Sequence, residues 1–172
     1  KAGLPPDLRV AIEGAYTLLG DGARVAVRSS ATMEDSGGFS FAGMNESFTN
    51  VSGAPAIAQA VLRCWQSVWS ARSMAYRASQ RIDAEPAIAV VVQRMVDADC
   101  SGVMFTADPA SGRRDRLVIE AAFGLGQSVV GGEVEPDTHF VARDASVLSL
   151  SATRVGDKRR KLVRDADGRE VV

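Results

Sequence analysis

The chain has 172 residues, a formal net charge of −1 and a hydrophobic fraction of 46%, values typical of an ordinary globular protein. The near-neutral charge excludes bulk electrostatic attraction to nucleic acid, and no apolar run approaches the roughly 20 residues that span a bilayer. Two cysteines without metal-like spacing, and no signal-like start, favour a reducing, cytoplasmic setting. The single histidine, His139, has the context of a strand position rather than a catalytic one.

The first half of the chain alternates helix and strand signals. Helix-period apolar spacing over residues 6–19 predicts a first helix, and strands are predicted over 24–29 and 46–51. The longest predicted helix begins at Pro55 and runs to about residue 79. It carries an aromatic stripe, which we interpret as core; its members are Trp65, Trp69 and Tyr76.

The second half is dominated by strands. Residues 87–96 are apolar on both faces up to Val92, which predicts a central strand. Strands over 101–106 and 116–122 follow after short turns, so these three segments are predicted to form an antiparallel sheet. Two further strands and a basic terminal hairpin complete the chain. The pattern predicts an α+β fold, a mostly antiparallel sheet with a long packing helix.

Arg28 is the first candidate functional residue. The apolar strand Val25-Ala26-Val27 delivers it to a long loop of hydroxyls, acids and glycines that ends at Gly43. A guanidinium remains charged and offers a planar fork of donors that matches phosphate oxygens. From these residues alone, an anion site and a surface arginine at a strand-to-loop junction are both open.

A second glycine-rich segment, residues 123–132, contains Gly-Leu-Gly but no Gly-Lys-Ser/Thr and no dinucleotide-binding fingerprint. Taken alone it identifies no ligand. Together, however, several segments form an ordered set; they are VAVRSSATMED, SFAGMNESFTNV, CWQSVWSARSMAYR, AVVVQRMV, SGVMFTADPASG and IEAAFGLGQSVVGGEVEPD. This set resembles the nucleotide-binding domain shared by phosphoenolpyruvate synthases (pyruvate, water dikinases), pyruvate, phosphate dikinases and rifampin phosphotransferases.

The resemblance covers nearly the whole chain and implies an ATP-grasp-like fold whose two lobes clasp ATP and Mg²⁺. We expect the first lobe at residues 1–86 and the second at 87–172. The family resemblance implies that a phosphoryl group passes from ATP to a histidine on a separate swivelling domain. From there it would pass to pyruvate, or to the drug in the resistance enzymes. The phosphoenolpyruvate synthase branch is favoured; a rifampin phosphotransferase and a degenerate, non-catalytic nucleotide-binding module remain alternatives.

The resemblance also implies roles for individual residues. Arg28 would contact the ATP phosphates and act in catalysis. Gly43 and Met44 lie where the family's loop closes over the nucleotide, and Ser47 lies where the family often has threonine. The remaining candidates fall on the hinge strand, where backbone groups would bind the adenine edge and a thioether would pack on the ring; they are Gln93, Met95 and Val96.

Two positions depart from the family pattern. Met44 stands where glutamine is common, and Gln127 replaces the glutamate of the usual Gly-Leu-Gly-Glu. We therefore assign no metal ligand within this chain. The family's N-terminal lysine, its late metal ligands and its second arginine have no counterpart here, and we expect them outside the chain. We also expect the 172 residues alone to be unable to complete catalysis.

Overall fold

The computed structural model describes residues 3–20, 22–31, 46–82, 85–144, 147–165 and 168–172. The helices are α1 (Pro6–Thr17), α2 (Ala54–Ser67), α3 (Ala71–Ser79) and the one-turn α4 (Gln127–Val130). The strands are β1 (Val25–Ala31), β2 (Ser47–Val51), β3 (Ile88–Arg94), β4 (Cys100–Phe105), β5 (Arg116–Phe123), β6 (Asp137–Asp144), β7 (Val147–Arg154), β8 (Val163–Arg164) and β9 (Glu170–Val171). The chain divides into two compact units, Lys1–Met95 and Val96–Val172.

The first unit is a three-stranded antiparallel sheet packed by helices. Its strand order is β2-β1-β3, so β1 is central. Val25 and Val27 on β1 and Ile57 on α2 are 0% exposed and form the centre of the core. Burial of each such side chain contributes about 2 kcal/mol. This packing fixes one face of β1 against the helices and leaves the alternate side chains on the other face.

The long predicted helix is interrupted. α2 ends at Ser67 and α3 begins at Ala71, because the Ser70 hydroxyl accepts the backbone N–H of Ser73 at 3.2 Å and caps the second helix. Trp69 lies in the break, is 57% exposed and has the Arg77 guanidinium 5.2 Å from its ring centroid. The assignment of Trp69 to the core is therefore wrong.

The pairing of β3 also differs from the prediction. β3 pairs with β1 along its whole length and forms an edge of the described sheet, instead of joining β4 and β5. Its exposure alternates, and Val91 is 49% exposed, so the prediction of a strand buried on both faces is wrong. Because β3 pairs with β1, the compact units divide after Met95, whereas the lobes expected from the sequence divide after Pro86.

The second unit is an antiparallel meander of β4-β5-β6-β7 with a separate β8-β9 pair. The turn between β4 and β5 is organised by Asp108, which is 3% exposed. Its carboxylate accepts the Ser111 hydroxyl at 2.7 Å and the Ala110 N–H at 2.9 Å and pairs with Arg116. These donors, the Ser111 hydroxyl foremost, hold the pKa of Asp108 well below its usual range. The turn is thus fastened to the start of β5.

The named strands pair only in antiparallel fashion over the described ranges. Together with the packing helices, this confirms the predicted α+β class with mostly antiparallel sheets. No helix within these ranges combines the length and apolar character that a membrane crossing requires.

Candidate functional site

The predicted site residues of the first unit lie on one surface. Residues directly opposite each other in an antiparallel pair project to the same face, and Arg28 lies opposite both Ser47 on β2 and Val91 on β3. Ala26, two residues before Arg28, lies opposite Gln93. We call this surface the open face; it is the side of the β2-β1-β3 sheet opposite α2.

Arg28 is exposed on the open face. Over the described ranges no carboxylate forms an ion pair with its guanidinium. Its neighbour Ser47 is also exposed and is the first residue of β2. A cation beside a hydroxyl is an arrangement that can bind phosphate oxygens. The structure therefore brings together these two residues that the sequence suggested.

Gln93 and Met95 occupy the other end of the same face. Gln93 is exposed opposite Ala26. The Met95 N–H donates to the Arg24 carbonyl at 2.9 Å, which extends the β3–β1 pairing by one residue. Met95 lies opposite Arg24, four residues from Arg28, so the two ends are separated by roughly 13 Å along the strand. An extended nucleoside triphosphate is of comparable length.

The structure does not place the three remaining candidates on the open face. Val96 is the first residue of the second unit and is 76% exposed. Gly43 and Met44 lie outside the described residues. Their proposed contacts with the nucleotide stay predictions.

Two further features were missed by the sequence analysis. Val91 is an exposed apolar side chain directly beside Arg28, and Asn50 contacts the Met95 sulfur. The period-two alternation of residues 88–94 could have identified Val91, but only once the pairing of β3 with β1 was known. The Asn50 contact depends on a register irregularity that has no sequence motif.

The start of β2 is held by α2. Glu46 donates its N–H to the Ser67 hydroxyl at 3.3 Å, and its carbonyl accepts the Cys64 thiol at 3.3 Å. Its carboxylate pairs with Arg63 at 3.2 Å. Burial, together with the charge of Glu46, raises the pKa of the Cys64 thiol to about 11, so the thiol stays protonated and can donate. These contacts fix the strand end that carries Ser47.

The sequence comparisons decide the family. The family described as "Pyruvate phosphate dikinase, AMP/ATP-binding domain" matches residues 1–172. The chain belongs to this family. The description of the family names AMP and ATP as its ligands.

Several relatives of this AMP/ATP-binding domain share its sequence along most of the chain. The phosphoenolpyruvate synthase of Aeropyrum pernix is 46% identical over 98% of this chain, which is 21% of the relative. The prodigiosin synthesizing transferase PigC of Serratia marcescens is 40% identical over 98%, and 18% of the relative is covered. The rifampicin phosphotransferase of a Streptomyces species is 41% identical over 92%, again 18% of the relative. The chain thus spans about a fifth of the length of these relatives.

The glycine-rich segment of this domain has a structural explanation. Gly124 has φ of +81°, and its backbone lies against Leu162, with which it forms a parallel bridge. A Cβ at Gly124 would lie 2.2 Å from the Leu162 carbonyl oxygen. Leu125 N–H donates to that same oxygen at 2.7 Å. Gly-Leu-Gly here allows two backbone segments to approach closely.

The described residues do not fit a magnesium site. No group of three or more His, Cys, Asp or Glu side chains that could hold a metal ion occurs among them. Mg²⁺ prefers carboxylate and water oxygens in an octahedral arrangement, and the open face presents a guanidinium, a hydroxyl, an amide and a thioether.

Proposed function

We propose that the open face binds ATP in an ATP-grasp-like manner and that the chain serves phosphoryl transfer in a phosphoenolpyruvate synthase-like enzyme. The triphosphate lies at the Arg28 and Ser47 end, and the adenine lies at the Gln93, Met95 and Val96 end. The observation that carries this proposal is the exposed Arg28 guanidinium, placed beside a hydroxyl and free of carboxylate partners over the described ranges. Membership of an AMP/ATP-binding family supplies the ligand class.

At the phosphate end, Arg28 neutralises charge on the triphosphate. Its position is set by β1, whose Val27 side chain is fully buried one residue earlier. A cation at this position stabilises the negative charge that develops on a transferring phosphoryl group. The Ser47 hydroxyl donates a hydrogen bond to a phosphate oxygen. Gly43 and Met44 close over the nucleotide.

At the base end, the strand that leads to the unit boundary binds the adenine. Backbone groups of residues 93–96 bind the polar edge of the ring, and the Met95 thioether packs on its face. Val91 adds exposed apolar surface beside Arg28, at the phosphate end. This distribution matches the usual composition of cofactor sites, in which apolar walls surround a few placed polar groups.

The groups that accept the phosphoryl group are proposed to lie outside these 172 residues. We propose a histidine on a separate domain as the first acceptor of the phosphoryl group and pyruvate as the final one. The relative named phosphoenolpyruvate synthase, at 46% identity, supports pyruvate. The relative named rifampicin phosphotransferase, at 41% identity, keeps a drug acceptor as the second candidate.

The test uses the full-length product of the gene and ATP labelled on its β- or γ-phosphorus. We expect acid-labile, base-stable label on the protein, as for a phosphohistidine, and its discharge by pyruvate. Arg28→Ala should lower the labelling rate about 10²-fold, and Arg28→Lys should restore part of it. Arg9→Ala is the matched control, since Arg9 is an exposed arginine paired with Glu13 on α1.

Three other outcomes would contradict parts of the proposal. Discharge by rifampicin instead of pyruvate would identify the drug-modifying alternative. ATP binding that Arg28→Ala leaves unchanged, without any labelling, would favour the non-catalytic module. Turnover of ATP by the 172-residue chain alone would overturn the expectation that it is incomplete.

A further inference from the structure

Asn50 has an unusual backbone conformation next to the proposed base site. Its φ is +58°, one of two positive φ values outside glycine over the described ranges. The register of β2 against β1 shifts here, because Val25 lies opposite Val51 whereas Val27 lies opposite Phe48. β2 thus carries one extra residue, a β-bulge. Asparagine is among the few residues that adopt this left-handed conformation readily.

The bulge turns the backbone N–H of Asn50 toward Met95. The Asn50 N–H donates to the Met95 sulfur at 2.9 Å, and the Asn50 side-chain oxygen accepts the Arg24 guanidinium at 3.1 Å. The Met95 N–H in turn donates to the Arg24 carbonyl at 2.9 Å. These three residues, one in β2, one directly before β1 and one directly after β3, form a closed set of hydrogen bonds, which we call the Asn50 ring.

The Asn50 ring fixes a side chain that is otherwise mobile. Methionine has three rotatable bonds and adapts to irregular surroundings, so an unanchored thioether would lose conformational freedom when a ligand packs on it. β2 and β3 lie on opposite sides of β1, and the Met95 side chain therefore crosses β1 to reach Asn50. It is held on the open face, directly before the unit boundary.

We propose that Asn50 is a positioning residue for the base end of the ATP site, acting through Met95. This inference rests on the proposed function, since it requires that adenine packs at Met95. The core formed by Val25, Val27 and Ile57 lies on the other face of the sheet. Phe48 and Val51, which flank the bulge on β2, pack against that core, so the test needs a variant that keeps the backbone conformation of the bulge.

The experiment measures the Kd of ATP, adenosine and inorganic tripolyphosphate for the full-length protein and its Asn50 variants. Asn50→Ala disfavours the left-handed conformation and removes the oxygen that holds Arg24. We expect the Kd of ATP and of adenosine to rise about 3- to 10-fold, with that of tripolyphosphate unchanged. Asn50→Gly keeps the conformation and the N–H donor but lacks the oxygen that holds Arg24, so it should recover only part of the adenosine affinity that Asn50→Ala loses.

The methionine methyl carbon resonance supplies an independent readout. In ¹³C-methyl-labelled protein we expect a single, dispersed Met95 signal for the wild type and Asn50→Gly, and a broadened or coil-like signal for Asn50→Ala. If Asn50→Ala fails to fold, Arg24→Ala provides the same test, because it removes the partner of the Asn50 oxygen. For Arg24→Ala we again expect weaker adenosine binding with unchanged tripolyphosphate binding.

Two results would overturn the inference while leaving the proposed function intact. One is unchanged adenosine affinity in folded Asn50→Ala while Met95→Ala weakens it. The other is an equal loss of ATP and tripolyphosphate affinity in Asn50→Ala, which would indicate a general structural effect. By contrast, unchanged ligand affinity in both Met95→Ala and Arg28→Ala would show that the proposed site itself is wrong.

Discussion

Replacing Gly124 by alanine would insert a methyl group where the backbone of Leu162 lies. The added Cβ would be 2.2 Å from the Leu162 oxygen and 3.1 Å from its carbonyl carbon, so the two segments must separate. An alanine in this left-handed conformation, with φ of +81°, costs about 1 kcal/mol of the free energy of unfolding. Separation would also break the Leu125–Leu162 hydrogen bond, at a cost of about 1 kcal/mol.

With the steric shift added, we expect Gly124→Ala to lower the free energy of unfolding of the second unit by about 3 kcal/mol. Gly132→Ala is the matched control, because Gly132 has φ of +68° and no atom within 4 Å of its added Cβ. The control should lose only about 1 kcal/mol. Urea unfolding followed by circular dichroism measures both values. Equal losses in the two variants would refute the close-approach explanation.

Two further predictions concern pH. Cys64 has a folded-state pKa of about 11 against an ordinary 9.0, so its stabilising contribution is complete below pH 9 and is lost as the pH rises toward 11. The thermal midpoint should fall over this pH range, and Cys64→Ala should reduce this dependence on pH. An unchanged pH dependence in Cys64→Ala would argue against a contribution from the Cys64 thiol. The pKa of Asp108 is lowered by Ser111 and Arg116, so its contribution is present above pH 4 and is lost on acidification. Asp108→Asn should be less stable than wild type at pH 7 and should show a weaker acid dependence below pH 4; parallel acid profiles would contradict this assignment.

Much of the secondary structure was predictable because local patterns control it. The alternation in residues 46–51 and the apolar run of 88–94 both became strands. The break between α2 and α3 was not predicted, because a serine within a strongly helical pattern is a weak signal. It acts as a cap only when its side chain reaches the next turn, as Ser70 does.

Strand pairing was less predictable than the strands themselves. Neighbouring strands in a sequence usually pair, which favoured β3 with β4, yet β3 pairs with β1. This long-range pairing packs Val90 and Val92, both partly buried, against the core beneath the helices and leaves Val91 exposed on the other face. The sequence pattern of three successive valines does not distinguish a strand with one exposed face from a strand buried on both.

The candidate site was predictable in part. Arg28, Gln93 and Met95 were selected through their place in ordered family motifs, and the structure brings them to one face. Asn50 could not be selected in the same way. Its importance arises from a one-residue bulge and from contacts to residues 26 and 45 positions away.

The central claim is that phosphate and base bind at opposite ends of one sheet face. The most direct test measures the affinities of ATP and adenosine for the full-length wild type and for Arg28→Ala. Loss of a charge-assisted hydrogen bond costs about 1.5–3 kcal/mol, so the Kd of ATP should rise about 10- to 100-fold while that of adenosine stays unchanged. An equal loss for both ligands, or no loss for ATP, would contradict the account.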